Sequence, residues 1–245
     1  MSMKIINVIS IEGHKGISCS QKYPVSNETT IELKGEFRSS GKIKSIIYFG
    51  LDCFDEKGER INAWQVHRVN EPLILTSINS DGKSFTLNKK PEKWNNSDEN
   101  NIKENRERKY LGFYFDGNIK RLPDYIINSP AYKVYTDNNI YLNNEIPKEI
   151  LSKIIPFKTI VMNQYNSANY DYSAAFGSEV PEQWKLYEAR YNGFSEGGED
   201  IKGKFRPETK SVSPIMWCNY QQNKEDAILE IRNIEIKVTD KPKFN

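Results

Sequence analysis

The chain predicts an all-β fold, an antiparallel β-sandwich with one short capping helix. Three observations carry the prediction. Apolar residues recur with the strand period of two through most of the chain, as in Ile228-Leu229-Glu230-Ile231 and Ile234-Glu235-Ile236-Lys237-Val238. Clusters of Gly, Asn, Asp and Pro interrupt those runs at regular spacing, as antiparallel connections require. Only Pro147 to Ile155 carries a helical stripe, with Pro147 to start it and Pro156 to stop it.

Taken in order, Ile5 to Ile11 reads as a first strand ending near Gly13, and Ser18 to Pro24 as irregular chain. Thr29 to Phe37 places Ile31, Leu33 and Phe37 on one face and Glu32, Lys34 and Glu36 on the other, which is a half-exposed strand. Ile46 to Phe54 is apolar on both faces, so it is expected to be central and covered twice. After the turn Asp55-Glu56-Lys57-Gly58, Arg60 to His67 is expected to return as the hairpin partner, bringing Trp64 and His67. Pro72 to Ile78 and Ser84 to Leu87 are shorter strands. Trp94 opens a polar, charge-dense segment running to Lys109, read as a solvated surface loop.

Tyr110 to Phe115 is a second doubly apolar strand, ended by the turn signal Asp116-Gly117-Asn118. Tyr132 to Tyr135 and Asn139 to Leu142 add strand pieces. Pro147 to Ile155 sets Ile150, Leu151, Ile154 and Ile155 in one stripe, a helix expected to cap one open end of the sandwich. Thr159 to Asn163 runs into a polar loop bearing Tyr165, Tyr170 and Tyr172. The stretch from Trp184 to Val238 supplies the closing strands. In the last of them Leu229 and Ile231 are out of phase by one residue with Ile234, Ile236 and Val238. A bulge at Arg232-Asn233 restores the register and commits one of those side chains to a local partner.

At 245 residues, with no linker and no repeat, the simplest account is a single β-sandwich domain over residues 1–245. Thirty-five basic residues against 33 acidic ones leave a formal charge of +2, interleaved along the chain, so no basic face for nucleic acid is expected. Cys19, Cys53 and Cys218 are an odd set without paired spacing, read as reduced thiols. His14 and His67 are too few for a zinc cluster. No segment approaches the ~20 apolar residues of a membrane helix, and the N-terminus carries no signal-peptide pattern. The expectation is no membrane insertion, with location left open between the cytoplasm and export without a cleaved signal or within a larger assembly.

The closing stretch carries a resemblance. Trp184-x-x-Tyr187, the turn at Gly193, Phe205-Arg206-Pro207-x-Thr209-Lys210 before an apolar strand, the Asn219-Tyr220 corner and the final Ile-x-Ile strand resemble the back half of bacterial carbohydrate-binding jelly rolls. These are the galactose-binding-like modules attached to polysaccharide-degrading enzymes and phage receptor-binding proteins. The front half, Ile31 to Phe37 and then Tyr48 to Asp55, is compatible, so the resemblance covers most of the chain as pattern. It implies a sandwich of jelly-roll type that binds sugar without cleaving it. Many such modules hold a structural calcium with two adjacent acidic residues in the last strand. Arg232-Asn233 stands in that place, which argues against the usual site and leaves backbone carbonyls or Asp226 for a different one.

Sugar recognition needs a flat ring face and a few fixed polar groups. The candidate platforms are Trp64, Tyr165, Tyr170, Tyr172 and Trp217, and the candidate polar partners are His67, Asn163, Asn166, Arg206 and Asn219. Against this, most rings in a strand-rich chain fill cores, and Trp184, Trp217 and Tyr114 are expected there. No phosphate loop, nucleophile elbow or metal triad appears, and Asp52, Asp55 and Glu59 only surround a turn. The reading therefore leans away from an enzyme. An assembly sandwich of a phage or surface component, self-associating or part of a larger body, is one alternative. A polysaccharide-cleaving jelly-roll enzyme is another.

Overall fold

The computed structural model describes residues 2–5, 7–94, 109–165, 172–198 and 202–240. In chain order the strands are β1 (Ser2–Ile5), β2 (Ile9–Glu12), β3 (Lys15–Ser18), β4 (Tyr23–Pro24), β5 (Thr29–Ser39), β6 (Ile46–Phe54), β7 (Leu73–Ile78), β8 (Ser84–Leu87), β9 (Tyr110–Tyr114), β10 (Tyr125–Ile127), β11 (Tyr132–Thr136), β12 (Asn139–Leu142), β13 (Ile160–Gln164), β14 (Ala175–Glu179), β15 (Lys185–Asn192), β16 (Ser211–Cys218) and β17 (Ile228–Asp240). Among the described residues two single-turn helices interrupt them, α1 (Ala63–Val66) and α2 (Lys148–Leu151). Every strand pairing is antiparallel.

The chain separates into two compact units: residues 1–61, 168–195 and 201–245 form the first, and residues 62–167 with 196–200 the second. No linker marks the division, because the second unit is inserted in the long connection between β6 and β14.

Unit 1 is the sandwich. Its strands pair in nested fashion: β2 with β17, β3 with β16, β5 with β15 and β6 with β14. First with last and second with second-last is the pairing of a long hairpin rolled over on itself, which is the jelly roll. Contacts of β17 with β5 and of β16 with β6 close the two sheets, ordered β1-β17-β5-β15 and β14-β6-β16-β3, with β2 beside β17 and β4 beside β16. Inward residues alternate along each strand. Ile31, Leu33 and Phe37 of β5 face the core with Ile47, Phe49 and Leu51 of β6, all at most 2% exposed. Phe37 meets Phe49 edge-on at 5.3 Å.

The bulge in β17 is present. Register slips between Arg232 and Glu235, Asn233 takes φ 52°, and Ile231, Ile234 and Ile236 all turn inward as a result. Gly35 lies opposite, where a Cβ would strike Ile234 and Phe37. Arg232 and Asn233 are both spent on Glu36, at 2.7 and 3.1 Å. The first predicted strand is two strands, because β1 and β2 pair with β17 on either side of this slip.

Unit 2 is one seven-stranded sheet, ordered β10-β9-β13-β7-β8-β12-β11. Its core gathers Leu73, Leu75, Phe85, Leu87, Leu111 and Phe113 with Trp94, Tyr132 and Ile140. Arg60 to His67 is not a strand. After an isolated bridge between Phe54 and Arg60 the chain coils into α1, where Asn62 and Gln65 form a reciprocal cap. The predicted helix shortens to α2, and Ile150, Leu151 and Ile154 pack into the unit 2 core while Ile155 is 48% exposed. It serves the core of unit 2. The polar segment from Asn95 and most of the charge-dense run fall outside the described residues.

Candidate functional site

The outer faces of the two sandwich sheets differ in chemistry. On the β17-β5 face charges alternate in register: Lys34–Glu235 at 3.1 Å, Arg38–Glu230 at 2.6 Å, Arg232–Glu36 at 2.7 Å and Lys237–Glu32 at 3.6 Å. Trp184 lies against this array, 4.9 Å from Arg38 and 4.1 Å from Arg232, so it is a half-buried cover for ion pairs and not the core ring its sequence context suggests. Hydrogen bonds from Arg232 and Asn233 hold the Glu36 carboxyl below the usual carboxylate range, and that from Arg38 does the same for Glu230. Such a face is satisfied internally and suits water.

The β6-β16 face is aromatic instead. Trp217 is directly opposite Tyr48 on one side and Gly16 on the other. A Cβ on Gly16 would lie 2.8 Å from the six-membered ring of Trp217, so the indole lies across β3 and uses the missing side chain as its seat. Its Nε1–H donates to the Tyr172 hydroxyl at 2.7 Å, which fixes the ring's rotation. His14 and Tyr220 stand nearly perpendicular to the indole, at 89° and 80°, with centroids 5.4 and 6.4 Å away. Tyr48 extends the cluster to Tyr172, Phe176 and Tyr220, with centroids 4.8–5.3 Å apart. Trp217, Tyr48 and Tyr220 are half-buried, while His14 and Phe176 are exposed.

Loops hold these rings in place. Asn219, fully buried at φ 49°, donates its side-chain amide to the Ile11 and Gly13 carbonyls, tying the β16 exit to the β2–β3 turn. The Gln221 N–H donates to Nδ1 of His14 at 2.9 Å, so the ring is oriented from behind. Burial, with the neighbouring Tyr220 hydroxyl second, pushes the Tyr48 phenol up, so it stays a neutral hydroxyl. Further along the same face Asp52 is buried and ion-pairs with Arg60 at 2.5 Å; burial pushes its carboxyl up despite Arg60 and Arg206.

The predicted site residues divide between the units. In unit 1, Tyr172 and Trp217 come together in the platform. Asn219 anchors the platform's loop and is 0% exposed, and Arg206 is buried and donates to the Ile61 carbonyl, so both brace the backbone. In unit 2, Trp64 stacks on Tyr110 at 5.6 Å and 6°, and His67, 0% exposed, meets Tyr165 edge-on at 5.7 Å. Asn163 is buried, its amide directed to the Tyr110 carbonyl and the Tyr132 hydroxyl. Asn166 and Tyr170 lie outside the described residues. The sequence reading missed His14, Gly16, Tyr48, Phe176 and Tyr220. Tyr48 was assigned to a strand covered on both sides, but its outer face carries the cluster. The usable signal was its phase: Tyr48 alternates with the inward residues Ile47 and Phe49.

Among the described residues no group of three His, Cys, Asp or Glu side chains is arranged to hold a metal. Burial pushes the Cys218 thiol up to about 12, as suits a core cysteine. No helix among the described residues is long and apolar enough to cross a membrane. The site thus defines a class, a β-sandwich that presents an aromatic platform on one sheet. No family model matches the chain and no curated protein matches it. Two solved structures of infectious bursal disease virus, of its Gx and Gt strains, align at 10% and 8% identity with TM-scores of 0.19 and 0.17. Each alignment covers 99% of this chain and 41% of the other, so the chain spans less than half the length of those proteins. Likenesses of that strength carry no argument about function.

Proposed function

We propose that the chain is a non-catalytic carbohydrate-binding protein whose site is the Trp217 platform of unit 1. The observation that carries the reading is the indole laid across Gly16 with His14 and Tyr220 upright beside it. A pyranose offers an apolar patch of C–H groups to such a face, and its ring of hydroxyls needs donors and acceptors at the edge. His14 Nε2 and the phenols of Tyr48 and Tyr220 provide them. The contrast between the faces supports the choice, since the other outer face satisfies its charges with one another.

A glycan array with wild type and the Trp217→Ala and Tyr48→Ala variants tests the reading. The expected result is retention of a defined set of glycans by wild type and loss of that set by both variants, each still folded by circular dichroism. An assembly role predicts a different outcome: no glycan retained, and a concentration-dependent mass by light scattering that the same variants reduce. Incubating the retained glycans with wild type tests for cleavage, and recovery of intact glycan is expected.

A further inference from the structure

The two sheets of unit 1 leave a gap between them. It is a cavity of about 220 Å³, walled by Ile9, Ile234 and Ile236 from one sheet and by Ile17, Phe49 and Met216 from the other. The bulge in β17 borders it, between the lining residues Ile231 and Ile234. At the bulge the β17 ladder slips register against β5 between Arg232 and Glu235. A slip of this kind bends the strand and increases its local twist. Ile9, in the cavity wall, is 43% exposed, so the cavity reaches the surface.

The cavity exceeds the roughly 150 Å³ apolar void that stays dry and takes up benzene. Its walls are mostly aliphatic, and Ser18 and Cys19, respectively exposed and partly exposed, also line it. Walls of isoleucine and methionine on two facing layers fit a flexible chain better than a flat polar ring, because they offer dispersion contacts all round and no fixed hydrogen-bond partner. We infer that this cavity binds the alkyl chain of a small amphiphile, with the polar head left at the mouth beside Ser18 and Cys19. The site is separate from the aromatic platform and does not depend on the sugar-binding reading.

Decanoate, titrated calorimetrically below its micellar concentration, is the probe. Wild type is expected to bind one molecule per chain with a negative heat-capacity change, the mark of buried apolar surface. Ile17→Phe puts a larger side chain into the gap from an edge strand and should weaken the affinity about tenfold or more. Cys19 gives a local readout, because it is partly exposed whereas Cys53 and Cys218 are buried. Saturating decanoate should slow alkylation of Cys19 by iodoacetamide about tenfold, by occluding the thiol. Absence of binding by wild type overturns the inference. So does binding that leaves Cys19 alkylation unchanged, which would place the chain elsewhere, or a folded Ile17→Phe variant that binds as wild type does.

Discussion

Replacing Gly16 with alanine should separate binding from stability. The new Cβ would sit 2.8, 3.1 and 3.1 Å from three carbons of the Trp217 ring. Carbons pack at about 3.5–4.0 Å, so the near edge of the indole must rise by roughly 0.7 Å. The obstacle is a side chain and not backbone, and Gly16 lies exposed on a strand with no positive φ, so the fold need not yield. Tilting the ring lengthens the bond from Nε1 to the Tyr172 hydroxyl, a loss of about 0.5–1.5 kcal/mol. Removing a glycine from a strand returns about 0.5–1 kcal/mol. The two effects nearly cancel, and net stability should stay within about 1 kcal/mol of wild type. A sugar stacked on the ring loses its flat contact, at a cost of about 1–2 kcal/mol or a factor of roughly 5–30 in affinity. Thermal unfolding followed by calorimetric titration with an array-selected glycan measures both. Unchanged affinity in a stable Gly16→Ala protein would refute the seating of Trp217 as the basis of the site.

Other predictions concern the frame. Glu36 and Glu230 have folded pKa values below their unfolded ones, so they add stability that is present above about pH 4.3 and is lost as pH falls through the folded values. Urea unfolding from neutral to about pH 2 should show a decline that is shallower in a Glu36→Gln/Glu230→Gln variant, and identical profiles would contradict the pairing. Asn233→Val forces a β-branched residue to φ 52° and should cost about 1–3 kcal/mol by urea unfolding, whereas Asn233→Gly should cost less. Leu111, fully buried in unit 2, should cost about 2–5 kcal/mol on truncation to alanine, measured in the same way.

The sandwich was legible because its signals are local. Alternation in β5 and β17 states which face is wet, and the phase slip at Arg232-Asn233 announces a bulge before any partner is known. The division into two units carries no mark in the sequence, since strands of both follow the same period and residue 62 has no compositional break. Arg60 to His67 misled for a related reason: alternation over a few residues also suits one turn of helix, and the cap between Asn62 and Gln65 decided it. Of the candidate rings, Tyr172 and Trp217 are brought together in the structure. Whether a ring is core or platform depends on what lies opposite, and Gly16 is some two hundred residues away from Trp217 in sequence. Such long-range pairings are invisible to period and propensity. For the same reason Asn163, Asn219 and Arg206 read as sugar ligands, while the structure directs the amides of Asn163 and Asn219 and the guanidinium of Arg206 to backbone carbonyls.

The most direct test is a nitrogen-15 NMR titration of the indole N–H signals. The chain has four tryptophans, so the spectrum holds few such peaks, and Trp217→Phe assigns the one in question. Adding an array-selected glycan should shift the Trp217 signal, whose N–H bonds Tyr172, and leave that of Trp184 in its arginine cage where it was. A glycan that binds while the Trp217 resonance stays still would contradict the account.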